Sequence, residues 1–162
     1  MRVAIISDTH MPRGERRLPV RCVDLMTVAD LIVHAGDFSE PSVLGGLEAL
    51  GPPVSAVHGN VDLSKLSERL PEQLELDLDG ARLAVVHDAG PSKGRLARMR
   101  RRFPEADAVV FGHSHLPLHE QEDGFQIFNP GSPTERRRAP HHTMGLAESH
   151  GGRIEFTLVR LD

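Results

Sequence analysis

Residues 3–10 read Val3-Ala4-Ile5-Ile6-Ser7-Asp8-Thr9-His10, a short apolar run that ends abruptly in a carboxylate and an imidazole. The construction recurs four times. Leu31-Ile32-Val33 leads into His34-Ala35-Gly36-Asp37, and Val54-Ser55-Ala56-Val57 into His58-Gly59-Asn60. Leu83-Ala84-Val85-Val86 leads into His87-Asp88, and Ala108-Val109-Val110-Phe111 into Gly112-His113-Ser114-His115. Runs this short and this rich in Val and Ile match strands buried on both faces. In an open α/β sheet the carboxyl ends of parallel strands line one crevice, so the five polar endings are expected to converge there. The glycines among them are expected to let the backbone turn sharply and bring the next side chain inward.

Between these runs the period changes. Val43, Leu47 and Leu50 stand at i, i+4, i+7, and Leu96, Met99 and Phe103 at i, i+3, i+7, each reading as a helix with one apolar stripe. Pro19 to Val28 reads as another helix, with proline in its first turn. Later the texture shifts to alternation: Leu74, Leu76 and Leu78 alternate with charged residues, and Asp79-Gly80 offers a two-residue turn into Arg82–Val86. Glu122-Asp123-Gly124 and His150-Gly151-Gly152 read as further hairpin turns. The expected fold is α/β, built from βαβ units first and antiparallel hairpins afterwards, as two facing mixed sheets flanked by helices. Residues 1–162 are read as one domain.

Composition narrows the function classes. Of 162 residues, 39% are hydrophobic and 26% charged, which is globular rather than disordered. Lys plus Arg number 19 against 23 Asp plus Glu, a net charge of −4. That balance argues against non-specific coating of nucleic acid, and no stable nucleic acid complex is expected. Arg95, Arg98, Arg100, Arg101 and Arg102 form a basic helix face, read as solvated surface. The single cysteine, Cys22, excludes an intramolecular disulfide and a multi-thiolate zinc site, and reads as a small core residue. The apolar runs are too short for a secretion signal or a membrane span, so a cytoplasmic protein without membrane association is expected.

The strand endings supply seven oxygen and nitrogen donors: Asp8, His10, Asp37, Asn60, His87, His113 and His115. Such donors suit borderline and hard divalent cations such as Mn, Fe, Co, Ni or Zn. Seven exceed the needs of one tetrahedral ion, and a bridging carboxylate would let them serve two with positions left open. Asp37 is the natural bridge.

In this order, Asp8-x-His10, Gly36-Asp37, Gly59-Asn60, His87 and Gly112-His113-x-His115 resemble the calcineurin-like metallophosphoesterase superfamily. The short length and the Asn129-Pro130-Gly131-Ser132 motif are similar to its small prokaryotic phosphodiesterase branch. The resemblance runs from Arg2 to about Ser132. It implies a four-layer α/β/β/α sandwich and a dinuclear centre in which Asp8, His10 and His115 hold one metal, Asn60, His87 and His113 the other, and Asp37 bridges. Manganese is the foremost choice, with Fe, Ni, Co, Zn or Mg as alternatives. It further implies a phosphodiesterase acting on a small phosphoester, such as a nucleotide, by direct attack of a hydroxide held between the metals, with Asp37, Asn60 and His113 as catalytic residues. Members of the family often form dimers or larger assemblies, so the resemblance also implies a homo-oligomer, with no sequence stripe that identifies its interface.

The chain departs from the family pattern twice. His87 is followed by Asp88 where the family carries glycine, and Val61 stands where many relatives have a histidine after Gly-Asn that can protonate the leaving group. Asp62 could partly substitute for that histidine, or only hydrogen-bond the loop. Coordination lowers the pKa of water from 15.7 to about 7, roughly 12 kcal/mol. A general base contributes only about 3–5 kcal/mol, so metals are the expected activator. Two divalent ions with Asp8 and Asp37 leave the core at about +2, attractive to an anionic ester.

Two alternatives share the fold: a non-catalytic protein-interaction module similar to the small retromer scaffold subunit, and a phosphomonoesterase. The complete donor set argues against the first. The remaining polar residues have plainer readings. His34 and His58 are expected to pack or to support ligands. His119, His141, His142 and His150 are read as surface residues. Asn129–Ser132 reads either as a turn or as backbone N–H groups facing substrate, and Arg136-Arg137-Arg138 as a solvated loop.

Overall fold

Strand β1 (Arg2–Ile6) sits at the middle of its sheet and places its side chains alternately on two cores. Val3 and Ile5 face the opposite sheet, while Ala4 and Ile6 face helices, and all four are fully buried. That two-sided burial is why the run carries no polar residue until it ends. The computed structural model describes residues 1–62 and 64–162.

The first sheet has the order β10-β9-β1-β2-β3. In it β2 (Leu31–His34) and β3 (Val54–Ala56) run parallel to β1, β9 (Thr143–His150) runs antiparallel to β1, and β10 (Arg153–Arg160) pairs antiparallel with β9. The second sheet has the order β4-β5-β6-β8-β7. There β5 (Ala81–Val86), β6 (Ala108–Val110) and β8 (Phe125–Asn129) are parallel, and β4 (Gln73–Leu78) and β7 (Leu118–Glu122) close the edges antiparallel.

Val3, Ile5, Val33, Leu83, Val85, Val110 and Phe128 fill the layer between the sheets. Outside the first sheet, Cys22 and Met26 of α1 (Val20–Thr27), Val43, Leu44 and Leu47 of α2 (Pro41–Glu48) and Leu66 of α3 (Ser64–Arg69) pack on Ala4, Ile6 and Ile32. Outside the second, Met99 of α4 (Arg95–Arg102) and Phe103 pack on Val109, Phe111 and Ile127. The architecture is the expected helix–sheet–sheet–helix sandwich.

All three hairpin readings hold. Asp79-Gly80, Asp123-Gly124 and Gly151-Gly152 are two-residue turns whose residues all have positive φ, from 47° to 84°, as the twist-compatible hairpin turn requires. One strand differs from expectation: Val54 and Ser55 are only half-buried, because β3 is an edge strand with one neighbour. Helix α3 has no counterpart in the sequence reading, since one buried leucine in a six-residue helix leaves no periodicity to detect.

Candidate metal centre

The carboxyl ends of β1, β2, β3, β5 and β6 meet at one end of the sandwich, and the loops that follow are laced together across both sheets. Asp8 N–H donates to the Gly36 carbonyl at 2.9 Å, Gly112 N–H to the His87 carbonyl at 2.9 Å, and His113 N–H to Asp8 Oδ2 at 3.1 Å. Asp8, His10, Asp37, His113 and His115 all adopt left-handed φ between 44° and 68°. A non-glycine residue pays for that conformation with strain, so the surrounding bonds must over-determine it.

This refines the expectation that glycines make the turns. Gly36 does so, at φ 96°, but Gly59 and Gly112 serve another purpose. A Cβ on Gly59 would lie 2.5 Å from the Asp37 backbone nitrogen, and one on Gly112 would lie 2.6 Å from Asp8 Oδ2. They are glycines because carboxylate-bearing loops press against them.

The seven donors fall into two adjoining groups. Donor atoms of Asp8, His10 and His115 all lie within 4.8 Å of one another, as do those of Asp37, His87 and His113. Asp37 Oδ2 lies between the groups, 3.5 Å from His10 Nε2 and 3.2 Å from His87 Nε2. Asn60 Oδ1 is 3.0 Å from both His87 Nε2 and His113 Nδ1, which adds it to the second group. Within the first, His10 Nε2 is 3.2 Å from His115 Nε2, and His115 Nε2 is 3.5 Å from Asp8 Oδ1. Ligands about 2.1 Å from one cation are separated by about 3.0–3.4 Å along the edges of its polyhedron, so these spacings fit coordination. The structure thus brings together every sequence-predicted donor. Asp8, His10, Asp37, His87 and His115 are buried, whereas Asn60 and His113 are exposed and form the mouth.

Hydrogen bonds settle two tautomers. A carbonyl oxygen only accepts, so His87 Nδ1 donates to the Ala35 carbonyl at 2.7 Å and His115 Nδ1 donates to that of Glu135. Each leaves Nε2 turned to the site. Electrostatics follow burial and neighbours. Burial pushes the Asp8 carboxyl up to about 7 and the His115 imidazole down to about 4, and it also lowers His10. At His87, burial opposes protonation, but the hydrogen bond to Asp37 and the charges of Asp8 and Asp37 outweigh it and raise the imidazole to about 9. Burial likewise opposes ionisation of Asp37, yet His87 wins and holds that carboxyl low.

The supporting residues are now assignable. Fully buried His34 accepts the Gly36 N–H at Nδ1 (3.1 Å), so Nε2 donates to Thr9 Oγ1 at 3.1 Å, and its ring stacks on Phe38. It ties the Asp8 loop to the Asp37 loop as a neutral imidazole, pushed by burial down to about 3. Asp62 hydrogen-bonds the loop: it accepts N–H groups of Asp37 (3.0 Å), Ser39 (3.0 Å) and Gly59 (2.6 Å). His58 shares a cavity of about 180 Å³ with Asn60, His87, Asp88 and Arg102.

The Asn129–Ser132 segment is a brace. Asn129 Nδ2 donates to the Gly112 carbonyl at 3.0 Å, and Ser132 Oγ donates to the Asp8 carbonyl at 2.8 Å. The arginines of α4 are less solvated than expected, because several serve the fold. Arg95 lies over Phe111, Arg98 donates to the carbonyls of Ala89 and Pro91, and Arg100 donates to that of Glu122. His141 and His142 face Asp162 and not the site.

Sequence reasoning missed Glu135. It follows the Asn129–Ser132 motif by three residues, and a lone glutamate in an arginine-rich loop carries no signal of its own. Its Oε2 lies 3.6 Å from His10 Nε2, and its Oε1 accepts Arg16 Nη2 at 2.7 Å.

The chain and its fold are similar to known proteins. Over its full length the fold superposes on Vps29 of Entamoeba histolytica solved in complex with zinc, with a TM-score of 0.80 and 20% identity, each chain covered completely. The chain is 31% identical over 162 residues to a probable metallophosphoesterase of Methanothermobacter thermautotrophicus, covering 99% of this chain and 92% of the relative. It is 25% identical over 142 residues to a phosphodiesterase of Methanocaldococcus jannaschii, covering 81% and 83%. The model of the calcineurin-like phosphoesterase superfamily domain matches residues 1–152. With that family's fold and two adjoining groups of metal donors at the strand ends, the chain belongs to the calcineurin-like phosphoesterase superfamily.

Proposed function

We propose that residues 1–162 act as one domain, a cytoplasmic phosphodiesterase that uses two divalent cations, manganese foremost, to hydrolyse a small phosphoester such as a nucleotide. The observation that carries this reading is the place of Asp37 Oδ2, within 3.5 Å of a donor in each group. Asp8, His10 and His115 hold one cation, Asn60, His87 and His113 the other, and Asp37 both. When bound, such a pair supplies a water acidic enough to attack at neutral pH and a clamp for a phosphoryl oxygen.

The protein's own groups do the rest. The Nδ1–H bonds of His87 and His115 keep each ring's Nε2 lone pair facing inward. Asn60 and His113 form the open side, where an ester enters and is oriented. Val61 N–H donates to Asp37 Oδ1 at 3.0 Å, while its side chain, 39% exposed, offers no proton. A mouth without that donor favours leaving groups that depart unprotonated, which supports a diester with a good leaving group over a monoester.

Protein stripped with a chelator and given back single metals tests the proposal. Bis(p-nitrophenyl) phosphate should be hydrolysed faster than p-nitrophenyl phosphate, most of all with Mn²⁺. In ¹⁸O-water the label should enter the phosphate product. Label in the alcohol, or no turnover with any divalent cation, contradicts it.

A further inference from the structure

One atom beside the site lacks the partner that burial demands. Glu135 Oε2 is buried without a hydrogen bond, one of two such side-chain atoms among the described residues, whereas buried polar atoms are ordinarily satisfied. The rest of Glu135 is committed. Its Oε1 accepts Arg16 Nη2 at 2.7 Å, its carbonyl accepts His115 Nδ1, and its N–H donates to Ser132 Oγ at 2.8 Å. Ser132 in turn holds the Asp8 carbonyl. A rigid frame therefore aims the free oxygen, which stands 3.6 Å from His10 Nε2 and 3.8 Å from His115 Nδ1. Arg137 Nε, at 3.9 Å, is beyond hydrogen-bonding reach.

We propose that Glu135 is an outer partner of the cation held by Asp8, His10 and His115, with Oε2 accepting a hydrogen bond from a water ligand of that cation. The inference rests on the two-cation reading above. Glu135 Oε2 meets His115 on the Nδ1 side, which faces away from the site, and Glu135 lies outside the triad whose donor atoms are all within 4.8 Å of one another, which is the place of an outer partner. With Asp37 shared, four protein donors leave positions of an octahedral cation such as Mn²⁺ for water, whose protons need acceptors. Arg16 cancels the carboxylate's charge, so the pair adds an acceptor to the site without adding net charge. The pair also spans the chain, joining the loop after His10 to the loop after Ser132. Outer partners of this kind alter metal affinity about 10–100-fold.

Mn²⁺ binding to chelator-stripped protein, read from the electron paramagnetic resonance signal of the free ion, tests this without turnover. In a His87→Ala background, which leaves the first group intact, adding Glu135→Gln is expected to weaken binding about tenfold or more. Arg16 claims the amide oxygen there and leaves an NH₂ where an acceptor is needed. In a His115→Ala background, which leaves the second group intact, the same change is expected to do nothing. Unchanged affinity in the first background overturns the proposal, and so does an equal loss in both. If circular dichroism shows either background variant unfolded, the comparison is made with Glu135→Gln alone, where weakening of one of two binding steps supports the proposal and of neither or both overturns it. Wild-type protein that binds no Mn²⁺ overturns the two-cation reading itself.

Discussion

Asp62 Oδ2 accepts the backbone N–H of Asp37 at 3.0 Å, so a side chain outside the donor set fixes the direction of the carboxylate that lies between the two groups. The Asp62 carboxylate also holds Ser39 and Gly59, which leaves Asp37 in left-handed φ with its loop pinned from below. Asp62→Ala frees three backbone N–H groups together. The expected loss is about 2–4 kcal/mol of stability, seen in urea as a lower midpoint at unchanged slope. Mn²⁺ affinity is expected to fall about 10–100-fold. Unchanged stability would show that water takes over the three bonds.

Asp37→Asn preserves shape and removes the negative charge between the two groups. Turnover is expected to drop by a factor of about 10³ or more, since the change removes several kcal/mol of transition-state charge stabilisation. Bound Mn²⁺, counted by equilibrium dialysis, is expected to fall from two ions to one. Retained turnover with both ions bound would remove Asp37 from the bridging role.

Metal affinity is expected to climb between about pH 6 and 9, because protons must leave before cations bind. Asp8, raised by burial to about 7, blocks the first group below that pH. His87, held near 9 by Asp37 and Asp8 against the effect of burial, carries a proton at neutral pH that the second cation must displace. His115, pushed down by burial to about 4, is already neutral and adds no slope there, and burial lowers His10 in the same direction. Calorimetric titration in two buffers of different ionisation heat counts the protons released, and an affinity flat with pH would contradict these assignments.

Two glycine-to-alanine changes should have opposite signs. Gly45, exposed in α2 with nothing within 4 Å of an added Cβ, is expected to gain roughly 0.5–1 kcal/mol from helix propensity. At Gly112 a Cβ would meet Asp8 Oδ2 at 2.6 Å. Gly112→Ala is expected to lose about 2 kcal/mol or more and to abolish binding at the first group. Thermal unfolding of the two variants side by side checks both signs.

Much of the fold is legible along the chain because burial on two faces removes polar residues from a strand until it ends. Val3–Ile6, Leu83–Val86 and Ala108–Phe111 announce themselves that way, and Asp79-Gly80 announces its hairpin through the left-handed φ its residues tolerate. Helix α3 and the half-buried β3 are less legible, since a short element or an edge with one neighbour carries too weak a pattern. The site divides along similar lines. Asp8, His10, Asp37, Asn60, His87, His113 and His115 are visible as polar endings of apolar runs. His34 and Glu135 look like any other histidine and glutamate until their neighbours are known.

Chain order and residue chemistry by themselves carried most of the secondary-structure plan and the seven donors expected at the strand ends, because local burial and ligand type are properties each segment carries alone. Only the packing of one sheet on the other decided how those donors divide into two groups, where the Asp37 carboxylate lies between them and which oxygen of Glu135 is left without a partner. Those outcomes depend on distances of 3 to 4 Å between residues as many as 125 positions apart, and a linear pattern holds no record of such distances.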